Sequence, residues 1–191
     1  MTDGIIRTAT KFAMSVTERY IREGDTAVDA TAGNGNDTLA LSALVGEKGK
    51  VYAFDIQKTA LDRTKKLLAE RGTYDNVVLI CGSHENMSHH IEEKGRVSAI
   101  VFNLGYLPSG DRSIFTRAKS SPTSIEEGLK IIKKGGIISI VTYPGTEEGK
   151  AEADAVLSYT GALDSGKYHV CRLTMPNQKG APPEIIWIEI K

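Results

Sequence analysis

Short apolar runs with strand character alternate with helical stretches along almost the whole 191-residue chain, and the alternation stops only at its end. Apolar residues at helical spacing predict a first helix from Ile5 to Arg22, ended by Gly24. Strands are predicted at Thr26 to Ala30, Lys50 to Asp55, Val77 to Cys81, Val97 to Asn103 and Ile137 to Tyr143. Helices between them fall at Asp37 to Leu44, Lys58 to Glu70, His84 to His90 and Pro122 to Ile132, the last stopped by Gly135 and Gly136. A further helix runs from Thr146 to Tyr159, and Tyr168 to Thr174 and Glu184 to Ile190 then follow as two strands with no helix between. Strands separated by helices demand a parallel sheet covered on both faces, because only a crossover helix returns the chain for parallel pairing. Two closing strands joined by a loop predict an antiparallel hairpin at the sheet edge. With no repeat or linker, residues 1–191 read as a single α/β domain.

Composition narrows the class. Hydrophobic content of 40% and charged content of 25% are ordinary for a globular protein. No apolar run is long enough for a bilayer, and the N-terminal stretch lacks a cleavable leader pattern, so no membrane partner and a cytoplasmic location are expected. Cys81 and Cys171 both sit in strand-like apolar runs and are expected to be buried. The 24 basic and 24 acidic residues cancel, so bulk charge gives no support for a nucleic-acid partner, although a local basic patch would suffice.

The first strand runs into Asp29-Ala-Thr31-Ala-Gly33-Asn34-Gly35-Asn36-Asp37-Thr38. Glycines between a strand and a helix let a ligand approach backbone, and the helix start offers free N–H donors. The dinucleotide pattern G-x-G-x-x-G wants a small residue where Thr38 stands. Asp29 would repel a pyrophosphate and attract a cation. A ligand with an ammonium and a sulfonium, as in S-adenosylmethionine, fits better than NAD.

Asp55 closes the second strand about 20 residues beyond Gly35, where a carboxylate accepts hydrogen bonds from ribose hydroxyls. Ile56 and Gln57 would flank an adenine. After the third strand, Ser83 is either a helix cap or a cofactor contact, and His84 either lines the adenine edge or sits at the surface. His84, His89 and His90 lack the spacing and the partners of a zinc site, so no metal is expected.

The fourth strand leads into Asn103-Leu-Gly105-Tyr106-Leu-Pro108. Ligands in open α/β sheets bind beyond the carboxyl ends of strands. The Asn103 side-chain carbonyl there is placed to accept a substrate N–H and aim a nitrogen lone pair. Tyr106 would stack on a planar substrate, with Gly105 permitting its approach. Tyr143-Pro144-Gly145 lies on the same rim. The polar segment Gly105 to Ser121 breaks the rhythm and reads as a functional loop.

On these three motifs the chain resembles the rRNA methylase family of small class I S-adenosylmethionine-dependent methyltransferases, over essentially its whole length. Thr31 stands where the general class I pattern has its first glycine, and Asn103-Leu-Gly-Tyr lacks both prolines of the amino-methyltransferase pattern. The resemblance implies a Rossmann-like, mostly parallel seven-stranded sheet with an antiparallel C-terminal hairpin and S-adenosylmethionine as methyl donor. It implies a tRNA acceptor, the primary amine of 5-aminomethyl-2-thiouridine at the wobble position. It suggests Asp29, Thr31, Gly33, Asn34, Gly35, Asn36, Asp55, Ile56, Gln57, Ser83 and His84 around the cofactor. Asn103, Tyr106 and Asp37 are then the expected catalytic residues, with Gly105, Tyr143, Arg112 and Arg172 toward substrate. Arg117, Lys119 and Lys179 would extend a basic patch. Asp37 also reads as an ordinary first-turn helix acid. An rRNA or small-molecule amine methyltransferase, an NAD-dependent oxidoreductase and a cofactor-binding module without catalysis stay open. The terminal hairpin edge and the first helix are candidate surfaces for a homodimer.

Overall fold

The computed structural model describes residues 4, 6, 8–72, 75–105 and 120–191. Tyr106, Arg112, Arg117 and Lys119 lie outside them. The elements are α1 (Ala9–Thr17), β1 (Thr26–Asp29), α2 (Asn36–Val45), β2 (Lys50–Asp55), α3 (Lys58–Arg71), β3 (Val77–Cys81), α4 (Met87–His90), β4 (Val97–Leu104), α5 (Ser120–Ile131), β5 (Ile132–Thr142), α6 (Glu147–Gly161), β6 (Tyr168–Leu173) and β7 (Glu184–Ile190). Short 3₁₀ turns follow α1 and precede α4.

The seven strands form one sheet in the order β3-β2-β1-β4-β5-β7-β6. Strands β1 to β5 pair in parallel, and β7 runs antiparallel to both β5 and β6. The expected closing hairpin is therefore present, with β7 inserted inside the edge. The order reverses between β1 and β4, where Asp29 lies opposite Val101. A crevice opens at such a switch point because the two flanking helices leave on opposite faces.

Alternate residues of the strands feed two cores. Ala99 and Val101 of β4 join Ala27, Leu41, Leu61 and Trp187 under α1, α2 and α3. Ile100, Phe102 and Leu104 join Phe54, Met87, Ile125 and Val156 under α4, α5 and α6. Burial on both faces explains why the strands read as continuous apolar runs.

Several boundaries move. The first helix holds only from Ala9 to Thr17, with Thr8 extended before it. The helix expected at Pro122 starts at Ser120, which puts the proline in the first turn, where its missing N–H costs nothing. It stops at Ile131, ahead of the two glycines, because Ile132 already pairs with Val97. Gly135 and Gly136 sit in an irregularity of β5, and Gly135 has φ +73°. Both cysteines are exposed, contrary to expectation. The apolar runs that hold them are β3 and β6, the two edges of the sheet, where one side of each strand has no neighbour.

Candidate active site

The loop between β1 and α2 is organised from below by Asp29. Its side chain is fully buried, and its two oxygens accept from Thr31 N (3.1 Å) and Thr38 Oγ1 (2.6 Å). Asp29 thus pins the loop, and the charge expected to attract a cation acts from beneath it, through space. Burial, with repulsion from Asp37, pushes its pKa up to about 7, although the two hydrogen bonds pull the other way. Thr38, read as an obstacle to dinucleotides, is the buried donor that holds Asp29.

Gly33 (φ +54°) and Gly35 (φ +85°) take left-handed backbone. A Cβ on Gly35 would lie 2.9 Å from the Thr64 backbone, so α3 packs where any side chain would stand. The Gly33 N–H donates to Asp55 Oδ2 (3.0 Å), and Asp55 Oδ1 accepts from Gln57 N (2.8 Å). Each carboxylate oxygen keeps a lone pair for a further donor. Ile56 beside it is 55% exposed, an apolar side chain held in the open at the end of β2. Asn34 and Asn36 are exposed on the loop, and Asn34 Oδ1 accepts from Arg63 (3.4 Å).

His84 donates from Nδ1 to Ala30 O (2.9 Å) and meets the Phe102 ring edge-on. Burial lowers its pKa, which keeps the imidazole neutral and leaves Nε2 as an acceptor. His90 instead packs edge-on against Phe54. Ser83 caps the turn that follows: its Oγ accepts from Glu85 N (3.2 Å) and donates to the Glu85 carboxylate (2.9 Å).

Asn103 stands at the end of β4 beside this loop. Its backbone N–H donates to Thr31 Oγ1 (2.8 Å), which ties β4 to the β1–α2 turn. Its Nδ2 donates to Asp37 Oδ2. A carboxylate only accepts, so the amide turns its nitrogen toward Asp37. That leaves Asn103 Oδ1 buried, with no hydrogen-bond partner among the described residues. An orphaned buried acceptor costs about 1–3 kcal/mol, which an incoming N–H would recover. Burial raises the Asp37 pKa, opposed by the Asn103 hydrogen bond.

A cavity of about 10 Å³, room for one water-sized group, is lined by Asp37, Asn103, Thr10, Met14, Ser139 and Val141. Thr10, Met14 and Ser139 were not anticipated as site residues. α1 carries its own amphipathic pattern, and nothing in it told that it crosses the cleft. Gly105 abuts the Tyr143 ring, since a Cβ there would lie 3.3 Å from it. Tyr143 is 39% exposed, and burial together with the Asp37 charge raises its hydroxyl pKa. The Arg172 guanidinium is engaged in a two-point pair with Glu184 (2.8 and 2.9 Å).

Comparison with known proteins places this architecture. The family model described as "Putative rRNA methylase" matches residues 51–189. The chain belongs to that family. Its fold and family are those of an S-adenosylmethionine-dependent methyltransferase. It is 39% identical over 182 residues to the Arabidopsis thaliana protein named "tRNA (mnm(5)s(2)U34)-methyltransferase, chloroplastic". That match covers 91% of this chain and 66% of the plant relative. The solved structure of a Clostridium thermocellum protein described as a "putative rRNA-methylase" superposes with TM-score 0.94 at 40% identity, covering 97% of this chain and 98% of that one. A Streptococcus mutans protein described as "a putative methyltransferase", solved in complex with SAH, gives TM-score 0.87 at 34% identity, covering 97% and 99%.

The described residues fit such a cofactor on their own geometry. A left-handed glycine loop, a carboxylate with spare lone pairs and an apolar platform at Ile56 lie at the carboxyl ends of the neighbouring strands β1 and β2. Among the described residues no helix is long and apolar enough to cross a membrane.

Proposed function

We propose that this chain methylates the primary amine of an aminomethyl group on the wobble uridine of tRNA. The observation that carries the reading is the Asp37–Asn103 pair, with its unpartnered Oδ1, beside the glycine loop. Bound S-adenosylmethionine would supply an electrophilic methyl group. Gly33, Asn34, Gly35 and Asn36 would hold its amino-acid part, with Asp29 contributing negative charge from below. Asp55 would accept from the ribose, Ile56 and Gln57 would flank the adenine, and Thr31, Ser83 and His84 would close the rim.

Primary amines are protonated at neutral pH, as lysine is with its pKa of about 10.4, so the acceptor arrives as an ammonium with no lone pair to give. The Asp37 carboxylate takes up one of its protons. The raised Asp37 pKa favours this, since it narrows the gap between donor and acceptor. Asn103 Oδ1 then accepts a remaining N–H, which fixes the direction of the freed lone pair. An rRNA or small-molecule amine would satisfy the same pair. The 39% identity to a protein named for the wobble uridine favours tRNA.

Incubation with labelled S-adenosylmethionine and tRNA bearing 5-aminomethyl-2-thiouridine tests the reading. Digestion to nucleosides should place the label on the methylaminomethyl derivative. Label on another nucleoside, or none with a protein that still binds S-adenosylhomocysteine, would overturn it.

A further inference from the structure

A groove of about 770 Å³ opens between the start of α1 and the loop that joins β6 to β7. Thr8 and Thr10 line one wall, Met175, Asn177 and Gln178 the other, and Tyr143 stands at its inner end. Thr10 also lines the small cavity at Asp37 and Asn103, so the two spaces share a wall. The volume lies within the roughly 300–1,000 Å³ of small-molecule sites.

We propose that this groove is the pocket for the acceptor nucleobase, held as a neutral planar heterocycle while its aminomethyl arm reaches Asp37 and Asn103. The proposal rests on the methyl-acceptor reading above. Its first support is charge. None of the described residues lining the groove is ionisable except the Tyr143 phenol. A phosphate seated on these described residues would lose water and gain no counter-charge from them, which is costly. An uncharged base loses little. The second support is shape chemistry. Tyr143 offers a half-exposed ring for stacking, and single-stranded bases bind by splaying onto aromatic faces. The third is the exposed carboxamide pair. Asn177 and Gln178 each present a donor beside an acceptor, which matches the N–H flanked by carbonyl oxygen on a uracil-type edge. Pro176, Pro182 and Pro183 restrict this wall's backbone, so less freedom is lost when a base enters.

The test is the affinity of an anticodon stem-loop RNA carrying 5-aminomethyl-2-thiouridine, measured by fluorescence anisotropy over a salt series. The double variant Asn177→Ala/Gln178→Ala lies on an exposed loop, and calorimetry with S-adenosylhomocysteine checks that its cofactor site is intact. Loss of two polar contacts predicts binding about tenfold weaker. The slope of log Kd against log salt should stay the same, because no phosphate contact is removed. Tyr143→Ala should weaken binding by a similar factor, and Tyr143→Phe should restore it. Unchanged affinity in the double variant overturns the proposal and leaves the groove to another occupant, such as a protein segment. A salt slope that falls by about one also overturns it, because it would mark a phosphate site. A wild type that methylates tRNA while the double variant binds as tightly sinks the groove alone. A wild type that binds no stem-loop sinks both readings.

Discussion

At the scale of single residues, the site is governed by where carboxylates are buried. Asp29 is held below the loop with its pKa raised to about 7 from 3.8, mainly by loss of water. A carboxyl group whose folded pKa is raised binds more protons folded than unfolded between those values. Its contribution to stability is present in full below about pH 4 and is lost as pH rises through about 7. Thermal melts should therefore show Asp29→Asn gaining on the wild type between pH 5 and pH 8. Parallel melting curves would contradict the burial argument. The same charge sets the cofactor's pH dependence. A cationic amino-acid tail prefers the ionised carboxylate, so S-adenosylhomocysteine should bind more tightly as pH passes from 6 to 8, and calorimetry in buffers of different ionisation heat should detect proton release. Gly35 is constrained by space as well as by φ. Gly35→Ala would force a Cβ against the Thr64 backbone, with an expected stability loss of roughly 1–3 kcal/mol in a denaturant titration, before any loss of ligand binding.

At the scale of elements, the strands were legible as bounded apolar runs, at a sheet edge as well as inside the sheet. β2, β3 and β7 begin and end at the expected residues, because an apolar run bounded by turn residues has few other uses in a chain of this pattern. The cysteine expectation failed at β3 and β6 for the same reason. An apolar run reports strand character, and its place in the sheet order, which decides exposure, is a property of the whole topology. Asp55, Asn103 and the glycine loop were readable from position alone, as they end or follow parallel strands. Thr10, Met14, Ser139 and the groove residues were not, since they meet the site only through packing of α1 and the β6–β7 loop. At α6, Thr146, expected as the first helical residue, is instead the N-cap, its Oγ1 accepting from Gly149 N (3.0 Å). Thr146→Ala should cost about 1 kcal/mol, read as a lower melting temperature with cofactor affinity unchanged.

At the scale of the whole molecule, the sheet reversal between β1 and β4 sets Asp29, Asp37 and Asn103 side by side, and α1 closes the space above them. On the proposed reading, one side of the crevice presents the glycine loop and Asp55 to the cofactor, and the other presents to the acceptor a groove whose described lining residues carry no charge. If the acceptor is the proposed amine, a proton must leave it between those two sides, and Asp37 is the carboxylate proposed to take it. The most direct measurement is the pH dependence of single-turnover methyl transfer, wild type against Asp37→Asn, with cofactor saturating. General-base assistance contributes about 10²–10⁴-fold, so the variant should fall by at least ~100-fold at neutral pH. Its rate should then climb with pH toward the amine's own pKa, while the wild type levels off earlier. A variant with the wild-type profile, merely scaled, would contradict the assignment of the proton to Asp37.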